Sequence, residues 1–389
     1  MNKNVILLAL CQALLTTGNV LLVSVNGLVG RLIAIDPALT TLPVALQFIG
    51  LMAATIPASL IMQRIGRKKG FYLGNGLAVI GSLICLFALP EAHFWLFCSG
   101  TFLLGIGIGF GTLYRFAAVE VANTSQESRA ISLVMAGGVL AAIVGPTLAL
   151  YSRHWITDTP FAGSYLGLLG LYVINLLLLF NVQISPSETE SHSAPARPLN
   201  DILRQDRFLV AVLAAMSSYA VMNLIMTATP LAMERLGYSF ASTTSVIKWH
   251  VLGMFAPSFF TGHLIQRFGT LRMIKFGALL ILLCISINLG GTSEWHFWCA
   301  LLLLGTGWNF MFISATQLLT GAYSQSEKAK AQASNEFMVF GMVTLSAFGS
   351  GWLEASIGWQ SLNTWMLPVM LATLTIIYQR GRFATADSR

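Results

Sequence analysis

The chain has 389 residues, of which 56% are hydrophobic and only 10% charged, and its formal net charge is +7. Soluble domains carry about 25% charged residues, so this composition excludes a soluble globular protein. Most lysines and arginines lie in the connections between apolar runs or near the ends of those runs. That distribution is typical of membrane orientation, and it excludes nucleic acid as the partner that the positive charge serves.

Apolar runs of about 20 residues, the length that crosses a bilayer core, recur along the whole chain. Lipid offers the backbone no hydrogen-bond partner, so these runs should be helices. We therefore predict an all-α polytopic membrane protein, embedded in the lipid bilayer, with 12 transmembrane helices in two pseudo-symmetric six-helix bundles. The predicted spans are residues 5–30, 41–63, 70–90, 93–115, 129–151, 161–182, 208–233, 243–266, 271–291, 295–319, 333–356 and 360–379.

A short basic connection, Gln63-Arg64-Ile65-Gly66-Arg67-Lys68-Lys69, joins the second and third predicted helices. It returns as Gln266-Arg267-Phe268-Gly269 after the eighth, a spacing of 203 residues. Gly50 and Gly253 keep the same spacing, as do two Glu-x-His-Phe-Trp motifs. A fixed spacing across several landmarks indicates an internal duplication.

A polar, proline-rich segment separates the first six predicted helices from the last six. It cannot bury apolar area, so it should be a flexible linker. We therefore predict an N-terminal six-helix bundle at residues 1–184, a cytoplasmic linker at 185–206 and a C-terminal six-helix bundle at 207–389.

Most lysines and arginines fall on one side of these predicted spans, and only Arg31, Arg153 and Arg235 fall on the other. Cytoplasmic connections carry the excess of basic residues. We therefore expect a multi-pass protein of the bacterial inner (cytoplasmic) membrane with both termini in the cytoplasm.

The sequence carries no signature of an enzyme or of a cofactor. Its five cysteines lie inside apolar spans and form no C-x-x-C pair, so neither a metal cluster nor a disulfide framework is indicated. The chain has no H-E-x-x-H motif, no G-x-S-x-G motif and no paired intramembrane aspartates. The glycines of the fourth span favour close helix packing over phosphate binding.

The first basic connection resembles the loop between helices 2 and 3 of the major facilitator superfamily, roughly G-x-x-x-D-R-x-G-R-[RK]. Residues 59–68 match that motif except at Ser59 and Gln63, where the family has glycine and aspartate. The resemblance covers essentially the whole chain. It implies a secondary transporter built from two six-helix halves that works by alternating access.

The resemblance also implies a gate at the cytoplasmic face. An arginine fork pairs well with a carboxylate, glycine permits the tight turn, and family analogy makes Glu120 the partner. The predicted gate residues are Gln63, Arg64, Gly66, Arg67, Glu120, Gln266, Arg267 and Gly269. The alternative is that the basic connections only anchor the helices at the membrane surface.

Polar and aromatic residues of the central helices form the predicted substrate pathway. By family analogy they are Asn19, Asn26, Tyr219, Asn223, Trp308, Asn309 and Gln317. A buried amide needs a partner, which is either another helix or the substrate, so structural bridging is the alternative. The mixture suits a small organic solute that is mostly apolar with a few polar groups.

Ionisable residues inside a membrane are costly and are therefore candidates for proton coupling. They are His250, Lys248, Glu336 and Arg115. Three of them have a structural alternative. Lys248 can extend to the interface, His250 can be bonded within the fold, and Glu336 suits a helix N-terminus.

We therefore predict a secondary active transporter, expected as a monomer, whose partners are a small organic substrate and, if coupled, protons. Direction stays open between proton-coupled efflux and uptake of a metabolite, vitamin or siderophore. Related drug/proton antiporters carry an arginine in helix 4 where this chain has Thr101, which puts drug antiport in doubt. A membrane receptor or scaffold is the other class, and the repeated gate connections argue against it.

Overall fold

The computed structural model describes residues 3–114, 117–118, 121, 127–184, 197–324 and 326–384, and in these residues all regular structure is helical. The described residues of the first half form six long helices. They are α1 (Lys3–Ile33), α2 (Leu42–Ile65), α3 (Arg67–Ala88), α4 (Phe94–Gly111), α5 (Glu127–Ser152) and α6 (Ala162–Phe180). A 3-10 turn, Pro37–Leu39, precedes α2.

The second half repeats this plan after a short helix, Leu199–Leu203. Its members are α7 (Asp206–Arg235), α8 (Phe240–Phe255 and Ser258–Phe268), α9 (Thr270–Gly290), α10 (Glu294–Thr320) and the stretch Lys328–Ala384. That stretch is interrupted by the non-helical Gly358 (φ 77°, ψ 168°), which separates α11 (328–357) from α12 (359–384).

Nine helices in the described residues are long and apolar enough to cross a bilayer. One of them, Lys330–Gly381, contains both α11 and α12, while α5 contributes the shorter apolar helix Gly137–Ser152. The remaining span, α8, is interrupted at Pro257, where the sequence predicted one continuous helix. Proline lacks the amide donor that a continuous helix needs. With α8 counted, the described helices account for twelve spans, which is compatible with the predicted number, and the predicted all-α membrane fold is confirmed.

Buried apolar side chains form two main clusters. One comprises residues before 183 together with Leu231, and the other comprises mainly residues after 201. Between the halves α2 packs on α11, α5 on α8, and α1 on α7. These clusters are compatible with the limits that we propose for the N bundle (1–184) and the C bundle (207–389).

The described end of the linker is bound to the C bundle. Arg197 Nε and Nη2 donate to the Glu327 carboxylate at 2.6 and 2.8 Å, and the backbone amide of Ser324 donates to it at 2.8 Å. The hydrogen bonds from Arg197 hold the pKa of Glu327 well below its usual range. This carboxylate therefore stays charged at any physiological pH.

The two basic connections share one backbone geometry. Gly66 joins α2 to α3 with φ 88° and ψ 150°, and Gly269 joins α8 to α9 with φ 87° and ψ 150°. This region of backbone space is essentially restricted to glycine. The duplication inferred from the sequence is therefore also a duplication of local structure.

The connections define two ends of the molecule. The basic end carries the α2–α3 and α8–α9 connections, where Arg64 and Arg267 are exposed. The far end carries the α1–α2, α7–α8 and α11–α12 connections.

We expect Gly66→Ala and Gly269→Ala each to destabilise the folded protein by about 1–3 kcal/mol, because a side chain disfavours this backbone geometry. Gly76→Ala in α3 is the matched control, since its Cβ would meet no atom within 4 Å and its backbone is helical. Thermal unfolding in detergent measures all three. Equal melting temperatures for the Gly66, Gly269 and Gly76 variants would refute the strain argument.

Candidate functional site

An ion-pair cluster joins the bundles at the far end. Arg31 Nη1 of α1 lies 3.0 Å from Glu234 Oε2 of α7. Beside it, Arg235 Nη2 lies 2.9 Å from Glu354 Oε2 of α11, and the Glu354 side chain is only 3% exposed. We call Arg31, Glu234, Arg235 and Glu354 the far-end latch. Arg31 and Glu234 stand 203 residues apart, so the pair connects equivalent positions of the two repeats.

A backbone contact closes the α2–α11 side of the same end. Thr41 Oγ1 donates to the Phe348 carbonyl at 3.0 Å and accepts from the Gly351 amide at 3.3 Å. A Cβ on Gly351 would lie 2.5 Å from Thr41 Cγ2, so only glycine allows this approach. The α2 N-terminus is thereby held against α11.

A cation–aromatic contact closes the α5–α8 side. The Arg153 guanidinium carbon lies 4.7 Å from the ring centroid of Phe161 and 5.0 Å from that of Phe240, which begins α8. The two rings meet edge to face at 5.3 Å. Such contacts contribute about 0.5–1 kcal/mol at exposed sites. The far end is therefore closed along both lateral interfaces and between α1 and α7.

One face of α1 presents polar side chains to the C bundle. Gln12, Thr16, Asn19 and Val23 recur at spacings of four, three and four, which places them on one helix face, and all are half-buried. The same face continues to Gly27, whose Cβ would lie 4.0 Å from Leu231 Cδ2 of α7, and to Arg31, which pairs with Glu234 of α7, so it points toward the C bundle. Gln12 Nε2 donates to Thr16 Oγ1 at 3.2 Å, whereas Gln12 Oε1 has no partner among the described atoms. We call these four residues the α1 stripe.

The two predicted asparagines of α1 belong to one chain of hydrogen bonds. Gln47 Nε2 donates to Asn19 Oδ1 at 2.8 Å, and Asn26 Nδ2 donates to Gln47 Oε1 at 2.9 Å. The Tyr165 hydroxyl donates to Asn26 Oδ1. Asn26, Gln47 and Tyr165 are buried, so they bridge α1, α2 and α6, and the half-buried Asn19 is the end that faces the C bundle.

Four aromatic side chains of the C bundle form a second surface. Tyr219 of α7 lies edge to face with Trp308 and Phe312 of α10 at 5.2 and 5.5 Å, and with Phe340 of α11 at 5.9 Å. Trp308 and Phe312 are nearly parallel at 5.0 Å. Phe340 contacts the buried clusters of both bundles, which places it at their boundary. We call these four residues the aromatic group.

The remaining predicted pathway residues have different surroundings. Asn223 lies one turn from Tyr219 and donates to Val343 O and Ser346 Oγ, and its Oδ1 has no partner among the described atoms. Gln317 is exposed near the basic end of α10.

Asn309 is bonded entirely to α8. Its Nδ2 donates to Met254 O at 2.6 Å and to Ser258 Oγ at 2.7 Å, and its Oδ1 accepts from Thr261 Oγ1 at 2.7 Å. Asn309 therefore satisfies groups beside the interruption of α8, and the geometry supports its structural reading.

The predicted cytoplasmic gate is only partly visible. Arg64, Gln266 and Arg267 are exposed, and Arg67 is half-buried at the start of α3. The predicted partner Glu120, the coupling candidate Arg115 and the side chain of Gln63 lie outside the described residues. The gate therefore stays a prediction.

The remaining coupling candidates lie apart. His250 is completely buried between α8 and α10, and its Nδ1 donates to Leu301 O at 2.8 Å. Lys248 is half-buried on α8, and Glu336 is half-buried on α11.

The sequence analysis did not identify Gln47 or the carboxylates of the far-end latch, Glu234 and Glu354, as site residues. Gln47 stands 203 residues before His250, which is the spacing of the internal repeat, so its equivalence to a candidate residue could have identified it from the sequence.

Two helical bundles, a closed far end and a polar–aromatic boundary define a membrane transporter. The Major Facilitator Superfamily model matches residues 8–347. The chain therefore belongs to this superfamily, and it is a transporter of a small organic solute that works by alternating access.

The relatives agree with this assignment. "Riboflavin transporter RfnT" of Brucella anthropi is 40% identical over 380 residues, covering 97% of this chain and 96% of that protein. "Uncharacterized MFS-type transporter YdeG" of Bacillus subtilis is 26% identical, covering 92% and 88%. The crystal structure of a point mutant of nucleoside transporter NupG has a TM-score of 0.76 over 97% of this chain and 100% of that one. Its sequence identity is 13%, so that likeness shows the fold alone.

We expect Arg31→Glu to open the far end, because two carboxylates would then face each other across the bundle boundary. The measurement is the rate at which an impermeant thiol reagent, added on the far-end side, labels a Val23→Cys variant. Because exposed ion pairs contribute about 0.2–1 kcal/mol, Arg31→Glu should raise this rate about two- to fivefold. Arg31→Glu combined with Glu234→Arg should restore the slow rate.

Asp158→Lys, which reverses an exposed charge on the α5–α6 connection, is the control. A double variant that labels as fast as Arg31→Glu would show that the pair does not hold the far end closed.

Proposed function

We propose that the protein transports riboflavin or a flavin closely similar to it, in the direction of uptake. The observation that carries the proposal is the 40% identity with a riboflavin transporter over 97% of this chain and 96% of that protein. The shared length includes α1, α7, α10 and α11, which supply the α1 stripe and the aromatic group.

The geometry supports a neutral, partly aromatic solute. The α1 stripe and the aromatic group lie at the bundle boundary and contain no charged side chain. Ligand sites of this kind are mostly apolar and aromatic with a few oriented polar groups. Riboflavin combines a flat ring system with a hydroxylated chain and carries no phosphate, so it matches both surfaces.

The environment of Thr101 supports uptake over drug antiport. Thr101 is buried, and its hydroxyl donates to Cys98 O within α4 at 2.9 Å. No charge therefore stands where related drug/proton antiporters carry an arginine. With the basic end in the cytoplasm, as the charge distribution favours, the described state is the one closed to the outside. Proton coupling and a monomeric state remain part of this proposal.

Uptake of labelled riboflavin by a bacterium that can neither synthesise nor import the vitamin tests the proposal. We expect expression of this chain to restore growth on low riboflavin, and phosphorylated riboflavin to compete poorly because the two surfaces lack cations. Proteoliposomes with an imposed pH gradient then test coupling. A correctly inserted protein that neither binds nor moves riboflavin would overturn the proposal.

Orientation has its own test. In a Cys299→Ser background, whose other cysteines are buried, Thr157→Cys at the far end should react with an impermeant thiol reagent in intact cells. Gln266→Cys at the basic end should react only after the membrane is permeabilised, because basic connections stay in the cytoplasm. Labelling of position 266 in intact cells would reverse the orientation.

A further inference from the structure

We infer that the two bundles bind different parts of one substrate: the aromatic group of the C bundle holds the flat ring, and the α1 stripe of the N bundle holds the hydroxylated chain. This inference rests on the proposed function and adds the residues and the orientation of the bound molecule.

The two surfaces lie at the same depth and face each other. α1 begins at Lys3 and α7 at Asp206, positions that are 203 residues apart, and Thr16 and Tyr219 keep the same spacing. Equivalent residues of a duplicated fold occupy equivalent places about the axis between the halves. The face of α1 that carries the stripe continues to Gly27 and Arg31, which meet Leu231 and Glu234 of α7. The equivalent face of α7, which carries Tyr219, therefore points toward the N bundle.

The aromatic group suits a flat ring. Tyr219, Phe312 and Phe340 are half-buried, so part of each ring is available for contact. Trp308 Nε1 and Asn223 Oδ1, from residues that are 7% and 0% exposed, have no hydrogen-bond partner in the described part of the chain. A buried polar atom without a partner costs about 1–3 kcal/mol, which a ligand with a complementary edge removes. The flavin ring edge carries carbonyls and an imide N–H, which match this donor and this acceptor.

The α1 stripe suits a hydroxylated chain. Gln12 Oε1 is a buried acceptor without a partner among the described atoms, and Thr16 and Asn19 place a hydroxyl and an amide within two turns of it. Amides and hydroxyls both donate and accept, as the hydroxyls of a sugar alcohol do. The stripe lacks aromatic side chains, so it offers a flat ring no stacking partner.

The division has a mechanistic consequence. A solute that spans the boundary contacts both the aromatic group and the α1 stripe only when the two bundles are close together. Its binding therefore stabilises the conformation in which both surfaces contact it, relative to the other conformations. A molecule with the ring alone would bind only the C bundle, so it would stabilise that conformation less. Ring and chain therefore have separable effects on affinity and on transport.

The test compares two ligands on purified protein in nanodiscs by quenching of flavin fluorescence. One ligand is riboflavin, and the other is the same ring with a methyl group in place of the hydroxylated chain. Phe312→Leu should weaken both ligands by about three- to tenfold, because it removes a ring contact. Thr16→Val keeps the side-chain shape and should weaken riboflavin by about three- to tenfold while leaving the ring analogue unchanged.

Matched controls separate these effects from changes in folding. Thr147→Val removes an exposed hydroxyl that makes the same bond to its own helix as Thr16 does, and Phe87→Leu removes an exposed ring of α3. Both should bind like wild type. Phe312→Tyr retains the ring and should retain affinity, so it tests the site even if Phe312→Leu folds poorly.

Each outcome decides between the two claims. A folded wild-type protein that binds no riboflavin overturns the proposed function and this assignment together. Wild-type binding that Thr16→Val and Phe312→Leu leave unchanged overturns the assignment alone. It is also overturned if Thr16→Val weakens both ligands equally, or if Phe312→Leu spares the ring analogue.

Discussion

The absence of hydrogen-bond partners in lipid is the constraint on which this structure depends. It makes every described span helical, and where a helix is interrupted it demands a local replacement. Pro257 interrupts α8, and Asn309 donates to the nearby Met254 carbonyl at 2.6 Å. The same rule explains why Asn26, Gln47 and Tyr165 bond to one another. Many polar residues within the bundles are satisfied by neighbours in this way, whereas Asn19 lies on the face of α1 that points toward the C bundle.

The basic residues are distributed unequally between the far end and the basic end of the molecule. Arg31, Arg153 and Arg235 are the basic residues that the sequence places on the side with few cations. Each of them makes a far-end contact: Arg31 with Glu234, Arg235 with Glu354, and Arg153 with the rings of Phe161 and Phe240. The exceptions to the charge asymmetry therefore all make far-end contacts, and those of Arg31 and Arg153 join the two bundles.

Much of the fold could be predicted because it depends on local properties. Apolar run length gives the helices, and the recurrence of Gly66 as Gly269 gives the duplication. The site was harder because partners lie far apart in sequence. Asn19 and Asn26 were visible as polar residues in a span, but their link through Gln47 depends on how α1 crosses α2. Pairing of Arg31 with Glu234 likewise requires knowing which ends of α1 and α7 meet.

The internal duplication gives the two bundles the same helix arrangement. The chemical character of each surface at the bundle boundary depends on positions where the two repeats carry different residues. Thr16 and Tyr219 are equivalent, yet one is a small hydroxyl and the other a ring within an aromatic group. Gln47 and His250 are equivalent, yet Gln47 continues an amide chain to Asn19 whereas His250 bonds the carbonyl of Leu301. A symmetric pair of surfaces would favour a symmetric solute. These substitutions instead give the boundary a polar side and an aromatic side, which is the arrangement that an amphipathic ring with a hydroxylated chain requires.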